Sequence, residues 1–143
     1  MTSFDTGTDL RAGTPLAGYT TLRLGGPAAR FVSVRRSAEL VDLVRTADAD
    51  GEPVLVLGGG SNLVVGDDGF AGTVAHVATT GCGYDRLGDS LVQLTVEAGM
   101  DWDAVVARTV AEDLGGLECL SGIPGLVGAT PVQNVGAYGV EIA

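Results

Sequence analysis

Three consecutive glycines followed by serine and asparagine, at positions 58–62, are the residues of this sequence best suited to chemistry. Glycine amides carry no side chains, so they can curl into a concave group of N–H donors that binds an anion. Ser61 and Asn62 add short hydrogen-bonding side chains beside these amides. The segment follows the apolar run PVLVL at 53–57, which is typical of a strand buried on both faces. The pattern fits a pyrophosphate site at a strand end, and it fits a tight turn between strands equally well.

The two common phosphate-binding motifs do not match this segment. A GxGxxG motif needs a third glycine at the opening of a helix, whereas Leu63 stands there and the residues that follow favour extended structure. A GxxxxGK[ST] motif needs a lysine, and all eight basic residues are arginines. A different dinucleotide-binding architecture is therefore expected, and Schiff-base lysine chemistry is excluded.

The last 25 residues, from Cys119 to Ala143, carry a single charge at Glu141. They are rich in glycine and follow neither a strand period nor a helix period. Loops are usually polar because they face water, and this segment is not polar. It is predicted to be either a packed, irregular wall or a surface that a ligand covers.

Hydrophobic periodicity predicts the elements that position these segments. One helix is expected from an N-cap at Ser37 to Gly51, with Leu40, Val41, Val44 and Ala47 on its buried face. A second helix is expected from an N-cap at Asp101 to Gly115-Gly116. Strands are predicted at 29–34, 53–57, 73–78 and 91–98, with extended chain at 62–65 and a turn at 67–69. His76 is expected to be a partly buried strand residue and Trp102 a core residue.

Charge and composition narrow the classes of function. A net charge of −10 argues against nucleic-acid binding, since phosphates would be repelled. No apolar stretch approaches the length of a membrane span and no signal sequence is recognisable, so a cytoplasmic protein without a membrane contact is expected. The two cysteines and one histidine are not clustered as metal ligands, so no metal site is expected. Nothing indicates an obligate protein partner.

Three segments resemble successive motifs of the UDP-N-acetylenolpyruvoylglucosamine reductase family. They are TTLRLGGPA at 20–28, VLVLGGGSNLVV at 54–65 and GLECLSGIPGLVGATPVQNVGAYGVEI at 116–142. The resemblance implies an α+β FAD-binding fold of the vanillyl-alcohol-oxidase/PCMH type, with two small α+β subdomains of which the second is incomplete. It implies an FAD-binding domain at 18–143 that is truncated at its C-terminal end, and no substrate-binding domain. Residues 1–17 are polar and interrupted by glycine and proline, so a flexible entry segment is expected there.

The resemblance also implies a reaction. FAD is reduced by NADPH, and hydride then passes to the enolpyruvyl ether of UDP-N-acetylglucosamine enolpyruvate, which gives the peptidoglycan precursor UDP-N-acetylmuramate. The family's catalytic residues lie beyond Ala143, so none is assigned in this chain and the chain alone is expected to be inactive. Two alternatives stay open: another flavoprotein oxidoreductase of the same fold, or a truncated, non-catalytic remnant.

The FAD-contacting residues that the resemblance implies fall in two groups. The first group would hold the pyrophosphate: Gly58, Gly59, Gly60, Ser61, Asn62 and Leu63. The second group would line the flavin and adenosine path and the wall near the isoalloxazine: Ser121, Ile123, Pro124, Gly125, Val127, Gly128, Ala129, Thr130, Gln133, Asn134, Gly136, Ala137, Tyr138 and Gly139. The Thr130 hydroxyl would offer a polar contact, and Tyr138 would either touch the flavin region or pack with one hydrogen bond. Thr21 and Arg23 are assigned no chemistry.

Overall fold

The computed structural model describes residues 9–142, in two structural units with their boundary between Ala78 and Thr79. The first unit is a five-stranded sheet with one helix. Strands β3, β4 and β5 run parallel, and β1 and β2 pair antiparallel with β3. The elements of this unit are β1 (Asp9–Arg11), β2 (Thr14–Pro15), a 3-10 helix (Leu16–Tyr19), β3 (Pro27–Val34), α1 (Ser37–Asp50), β4 (Val54–Leu57) and β5 (Phe70–Val77).

Strand β4 lies at the end of this sheet, in the order β1-β3-β5-β4. Its partner is β5, with Leu57 opposite His76. Leu57 is buried, but Val56 is 56% exposed. The prediction that 53–57 is buried on both faces was therefore wrong, because a purely apolar run does not distinguish a central strand from an end strand.

The first unit has a hydrophobic cluster on each side of the sheet. Leu16, Phe31 and Leu57 belong to one cluster, and Val32, Val34 and Ala75 form the other, against which α1 packs through Leu40 and Leu43. Leu16 is fully buried, and residues 9–17 include two strand segments. The segment predicted to be flexible, 1–17, thus contains regular secondary structure within 9–17, while residues 1–8 lie outside the described residues.

Helix α1 begins and ends at residues that satisfy its terminal backbone groups. The Glu39 carboxylate accepts hydrogen bonds from the backbone N–H groups of Arg35 and Arg36, so Arg36 and not Ser37 is the N-cap. Gly51 ends the helix in the left-handed region at φ 67°, as predicted. The inner face of α1 consists of Leu40, Leu43 and Ala47. Val41 and Val44, which were predicted to be on this face, are exposed, so the prediction was wrong for these two residues.

The second unit consists of two short hairpins, one helix and irregular chain. Its elements are β6 (Cys82–Arg86), β7 (Val92–Val96), α2 (Trp102–Ala111), 3-10 helices (Glu118–Leu120 and Val127–Ala129), β8 (Gly136–Ala137) and β9 (Val140–Glu141). The predicted cap of α2 is confirmed, since Asp101 Oδ1 accepts from the Ala104 N–H at 2.9 Å. The helix ends before the predicted Gly115-Gly116, and Asp113 already has a φ of 55°. No helix among residues 9–142 is long and apolar enough to cross a membrane.

The core of the second unit forms around Trp102. This residue is 4% exposed, and its Nε1–H donates to the Leu120 carbonyl at 2.9 Å. Trp102, Val106 and Leu120 are the buried centre, and the irregular C-terminal segment packs around them. The prediction that Trp102 is a core residue is therefore confirmed.

Candidate functional site

The glycine loop, residues 58–62, follows β4 directly and takes no part in strand pairing. Within residues 9–142, none of its five backbone N–H groups donates to a backbone carbonyl. Adjacent amide donors without backbone partners are what a concave anion site is built from. Ser61 and Asn62 lie in a turn, so the loop combines a turn with amide donors that could bind an anion.

Gly60 allows a second chain segment to approach the glycine loop. Its φ is 64°, and a Cβ atom at this position would overlap the Tyr19 carbonyl oxygen and lie 2.8 Å from Thr20 Cα. The Gly60 carbonyl accepts a hydrogen bond from the Thr21 N–H at 3.1 Å. The backbone of residues 19–21 is therefore held against the loop, and only glycine permits that distance.

Between these two segments lies an open cleft of about 400 Å³. It contains no carboxylate, although the protein carries 18 acidic residues, and it contains the cation Arg23. The cleft is lined by Gly18, Tyr19, Thr20, Thr21, Arg23, Gly58, Gly59 and His76. Backbone amides, hydroxyls and a guanidinium are donors, so this lining suits an anion.

His76 closes one side of the cleft and belongs to an aromatic group. Its ring centroid is 5.2 Å from that of Tyr19 and 5.6 Å from that of Phe31. Burial lowers the pKa of His76, because the protonated ring loses hydration there. A neutral imidazole near pH 7 follows, and the prediction of a partly buried strand residue is confirmed.

Sequence reasoning missed Tyr19, Arg23 and His76 as cleft residues. Each is distant from the glycine loop in sequence, and Arg23 was set aside as having no chemical role. The parallel register of β4 and β5 brings His76 opposite Leu57, and the Thr21–Gly60 hydrogen bond brings in the other two. The TTLRLGG segment was the available signal, but its packing against the glycine loop is a long-range contact.

The start of the C-terminal segment is anchored to α2 by Asp103. Its Oδ1 atom accepts hydrogen bonds from the Gly122 N–H at 2.7 Å and the Ser121 hydroxyl at 2.8 Å. The Gly122 N–H and then the Ser121 hydroxyl lower the pKa of Asp103, because both stabilise the carboxylate. Ser121 is thus already engaged within the chain.

The middle of the same segment packs inward. Gly128 donates its N–H to the Ala98 carbonyl at 2.9 Å, and a Cβ at Gly128 would lie 2.7 Å from Ala98 Cβ. Thr130 is 4% exposed and donates its hydroxyl to the Val127 carbonyl, so that hydroxyl serves the local fold. Ile123, Val127 and Ala137 pack on the Trp102 cluster. Of the two predictions for this segment, a packed irregular wall describes these residues.

The end of the segment is exposed. Gln133, Asn134 and Gly136 face solvent, and Tyr138 is 92% exposed at the turn between β8 and β9. Tyr138 and Gly139 have φ values of 53° and 83°, as the tight turn of a two-residue hairpin requires. The prediction offered a Tyr138 that packs within the fold and makes one hydrogen bond as an alternative. That alternative was wrong, because the side chain is almost fully exposed.

The predicted FAD contacts thus divide by unit. Gly58 to Leu63 lie in the first unit, where Leu63 also packs on the Leu16 cluster. Ser121 to Gly139 lie in the second unit, where exposed members alternate with members of its core.

Comparison with known proteins supports a flavin site. A family model described as FAD binding domain matches residues 28–143. The chain is 69% identical over 131 residues to UDP-N-acetylenolpyruvoylglucosamine reductase of Saccharopolyspora erythraea, covering 92% of this chain and 36% of that protein. The corresponding protein of Thermobifida fusca is 61% identical over 129 residues, covering 90% of this chain and 36% of that protein.

A solved structure agrees with the sequence matches. The crystal structure of UDP-N-acetylenolpyruvylglucosamine reductase from Thermus caldophilus matches with a TM-score of 0.66 and 31% identity, covering 94% of this chain and 44% of that chain. The chain spans about 36% of the length of the curated relatives named above. The predicted resemblance and the α+β FAD-binding fold are confirmed. Because the family model covers well over half of the sequence, the chain belongs to the FAD binding domain family.

Proposed function

We propose that this chain supplies the FAD-binding part of a UDP-N-acetylenolpyruvoylglucosamine reductase. The reaction is the NADPH-driven reduction of UDP-N-acetylglucosamine enolpyruvate to UDP-N-acetylmuramate in peptidoglycan precursor synthesis. The relatives of 69% and 61% identity support this activity through their names. FAD, when bound, would carry the hydride between NADPH and the enolpyruvyl group.

One observation carries the proposal at the level of this chain. The glycine loop presents backbone N–H groups without backbone acceptors in the described residues, beside a cleft lined by Arg23 and by no carboxylate. The FAD diphosphate is a double anion, so it needs several donors and the absence of nearby negative charge. The donor set therefore fits the diphosphate, and we assign Gly58 to Asn62 to its binding.

The second unit has a different role in the proposal. Its segment from Ser121 to Gly139 combines an anchored start, a packed middle and an exposed end. An apolar, uncharged surface suits the flat rings of flavin and adenine better than it suits a phosphate. We propose that the exposed residues Gln133, Asn134 and Tyr138 contact the ring system, and that Ile123, Val127 and Thr130 support them from within the fold.

We also propose a cytoplasmic location. Cys82 and Cys119 are both free thiols, which agrees with a reducing compartment. The proposed substrates, a UDP-sugar and NADPH, would be met there.

Gly59→Val tests the diphosphate assignment. Gly59 lines the cleft, so a branched side chain would occupy the space of the anion. We expect FAD binding, measured by quenching of flavin fluorescence, to weaken by at least about tenfold, the loss of roughly one or two charge-assisted hydrogen bonds.

Gly66→Val is the matched control. Gly66 also lies in the chain between β4 and β5, but a Cβ there meets no atom within 4 Å. Its affinity for FAD should equal that of the unchanged protein, and circular dichroism should show both variants folded. Equal affinity of Gly59→Val and Gly66→Val would remove the glycine loop from the site.

A further inference from the structure

We propose that Arg23 binds the diphosphate of FAD and thereby makes the cleft selective for the dinucleotide over the uncharged flavin. This inference rests on the proposed function and deepens it, since it assigns a role to a residue that the sequence analysis left without chemistry. It follows from three observations: the backbone at Arg23, its lack of a carboxylate partner, and its place in the cleft.

The backbone of Arg23 is held in an unusual conformation. Its φ of 57° lies in the left-handed region, which costs a non-glycine residue about 1–2 kcal/mol. The buried Thr20 enforces this turn: its hydroxyl donates to the Leu24 carbonyl at 2.7 Å and accepts from the Leu24 N–H at 3.2 Å. The Arg23 N–H donates to the Thr20 carbonyl at 3.1 Å. Strain that the surroundings maintain in this way is characteristic of functional positions.

The charge of Arg23 is not used for an ion pair within residues 9–142. Arg30, Arg36 and Arg108 have carboxylate partners, with Glu52 at 3.1 Å, Glu39 at 2.6 Å and Glu112 at 2.8 Å. Within the same residues Arg35, Arg45 and Arg86 share with Arg23 the lack of such an ion pair, so it is the position of Arg23 that distinguishes it. Arg23 lines a cleft that contains no acidic residue. In a protein of net charge −10, a cleft that is lined by an arginine and by no carboxylate has a local charge that favours an external anion.

The position of Arg23 suits a diphosphate in particular. The glycine loop lies on one side of the cleft and the Thr20–Leu24 turn on the other, tied together by the Thr21–Gly60 hydrogen bond. An anion between them would receive backbone N–H donors from the loop and the forked donors of a guanidinium from the turn. Arginine pairs with phosphate oxygens in this two-pronged way, whereas an uncharged flavin offers it no such partner.

Arg23→Gln tests the inference, with Arg45→Gln as control. Both changes remove one positive charge, but Arg45 is an exposed residue of α1 that does not line the cleft. Glutamine keeps an unbranched side chain at the strained position, and Arg23→Lys restores the charge without the fork. Affinities for FAD, riboflavin and NADPH are measured by fluorescence, and the urea midpoint is measured for each variant.

We expect Arg23→Gln to weaken FAD binding by about tenfold to a hundredfold, the loss of one charged bidentate contact, with riboflavin affinity unchanged. Arg23→Lys should fall between, and Arg45→Gln should match the unchanged protein. Equal FAD affinity of the two glutamine variants would overturn the inference and leave the proposed function intact. Equal weakening of FAD and riboflavin would also overturn it, as a general structural effect.

Two further outcomes separate the possible sources of the anion. Weakened NADPH binding with unchanged FAD binding would assign Arg23 to the nicotinamide dinucleotide and overturn the FAD assignment. Failure of the unchanged protein to bind FAD at all would contradict the proposed function itself. The experiment thus distinguishes an error about Arg23 from an error about the site.

Discussion

Gly60 shows how a single residue can decide whether the cleft exists. It is buried, it is left-handed at φ 64°, and the Tyr19 carbonyl occupies the space of a side chain. Both features exclude other residues at this position, but for different reasons. In a residue with a Cβ atom, the φ value would strain the backbone, and the Cβ would push residues 19–20 away from the loop. The two neighbouring glycines have different roles. Gly59 lines the cleft, whereas Gly60 packs against the backbone of Tyr19 and Thr20.

We expect Gly60→Ala to lower the free energy of unfolding by more than about 2 kcal/mol, since left-handed strain and a backbone overlap are both introduced. Gly51→Ala is the control, because Gly51 has a similar φ of 67° but no atom within 4 Å of a Cβ. It should cost only the strain, about 1 kcal/mol. Urea unfolding followed by circular dichroism measures both, and equal losses would show that the close approach to Tyr19 is unimportant.

Tyr138 is the residue that the structure leaves least explained by packing. A bulky side chain at φ 53° is disfavoured, and 92% exposure means that no burial offsets the cost. Asparagine or glycine would suit this turn position better. A tyrosine kept there in spite of its backbone is consistent with the proposed contact to the flavin region.

At the scale of elements, Asp103 connects helix α2 to the start of the C-terminal segment. The carboxylate accepts hydrogen bonds from the Gly122 N–H and the Ser121 hydroxyl. Both lower the pKa of Asp103, and the Gly122 N–H has the larger effect. A lowered pKa in the folded protein means that the carboxylate stabilises the fold above its unfolded pKa. That stability is lost as the pH falls through the folded value.

We expect Asp103→Asn to lower the thermal midpoint near neutral pH, and the difference from the unchanged protein to shrink below about pH 4, where the unfolded aspartate is protonated. Differential scanning calorimetry across this range measures it. Asp85→Asn is the control, since Asp85 is exposed on β6 and its side chain accepts no hydrogen bond within residues 9–142. A difference that stays constant down to acid pH would show that the charge of Asp103 does not hold the segment.

The sequence predicted the elements that have local signals. The Asp101 cap, the Gly51 end of α1 and strand β3 each depend on a few neighbouring residues, and each is confirmed in type. Strand β6 was missed because Cys82 to Arg86 contains polar residues without clear alternation. It is a strand because it pairs with β7, and pairing is not a property of the segment alone.

The sequence predicted one part of the candidate site, the glycine loop, and missed the residues that line the cleft beside it. The glycine loop is a local motif, so its type and spacing were sufficient to name it. Arg23 and His76 reach the same cleft through the β4–β5 register and the Thr21–Gly60 hydrogen bond, which depend on the whole first unit. The inner face of α1 was misplaced because Val41 and Leu43 are equally apolar, and only packing against β3 and β5 selects Leu43.

At the scale of the whole molecule, the charge of the cleft differs in sign from the net charge of the protein. The protein carries −10 overall, yet the cleft has no carboxylate and one arginine. An approaching dianion is therefore repelled at long range and attracted only near the glycine loop. Affinity and association rate should consequently respond to salt in different ways.

We expect the association rate of FAD to increase severalfold as ionic strength rises from about 0.01 M to about 0.15 M, because the screening length falls from about 30 Å to about 8 Å and the net repulsion is removed. Stopped-flow flavin fluorescence measures this rate, and riboflavin, which is uncharged, should show no dependence. Arg23→Gln should steepen the increase, since the local attraction that opposes the net charge of −10 is lost. A rate that falls with salt would mean that the cleft, and not the net charge, governs the approach of the anion.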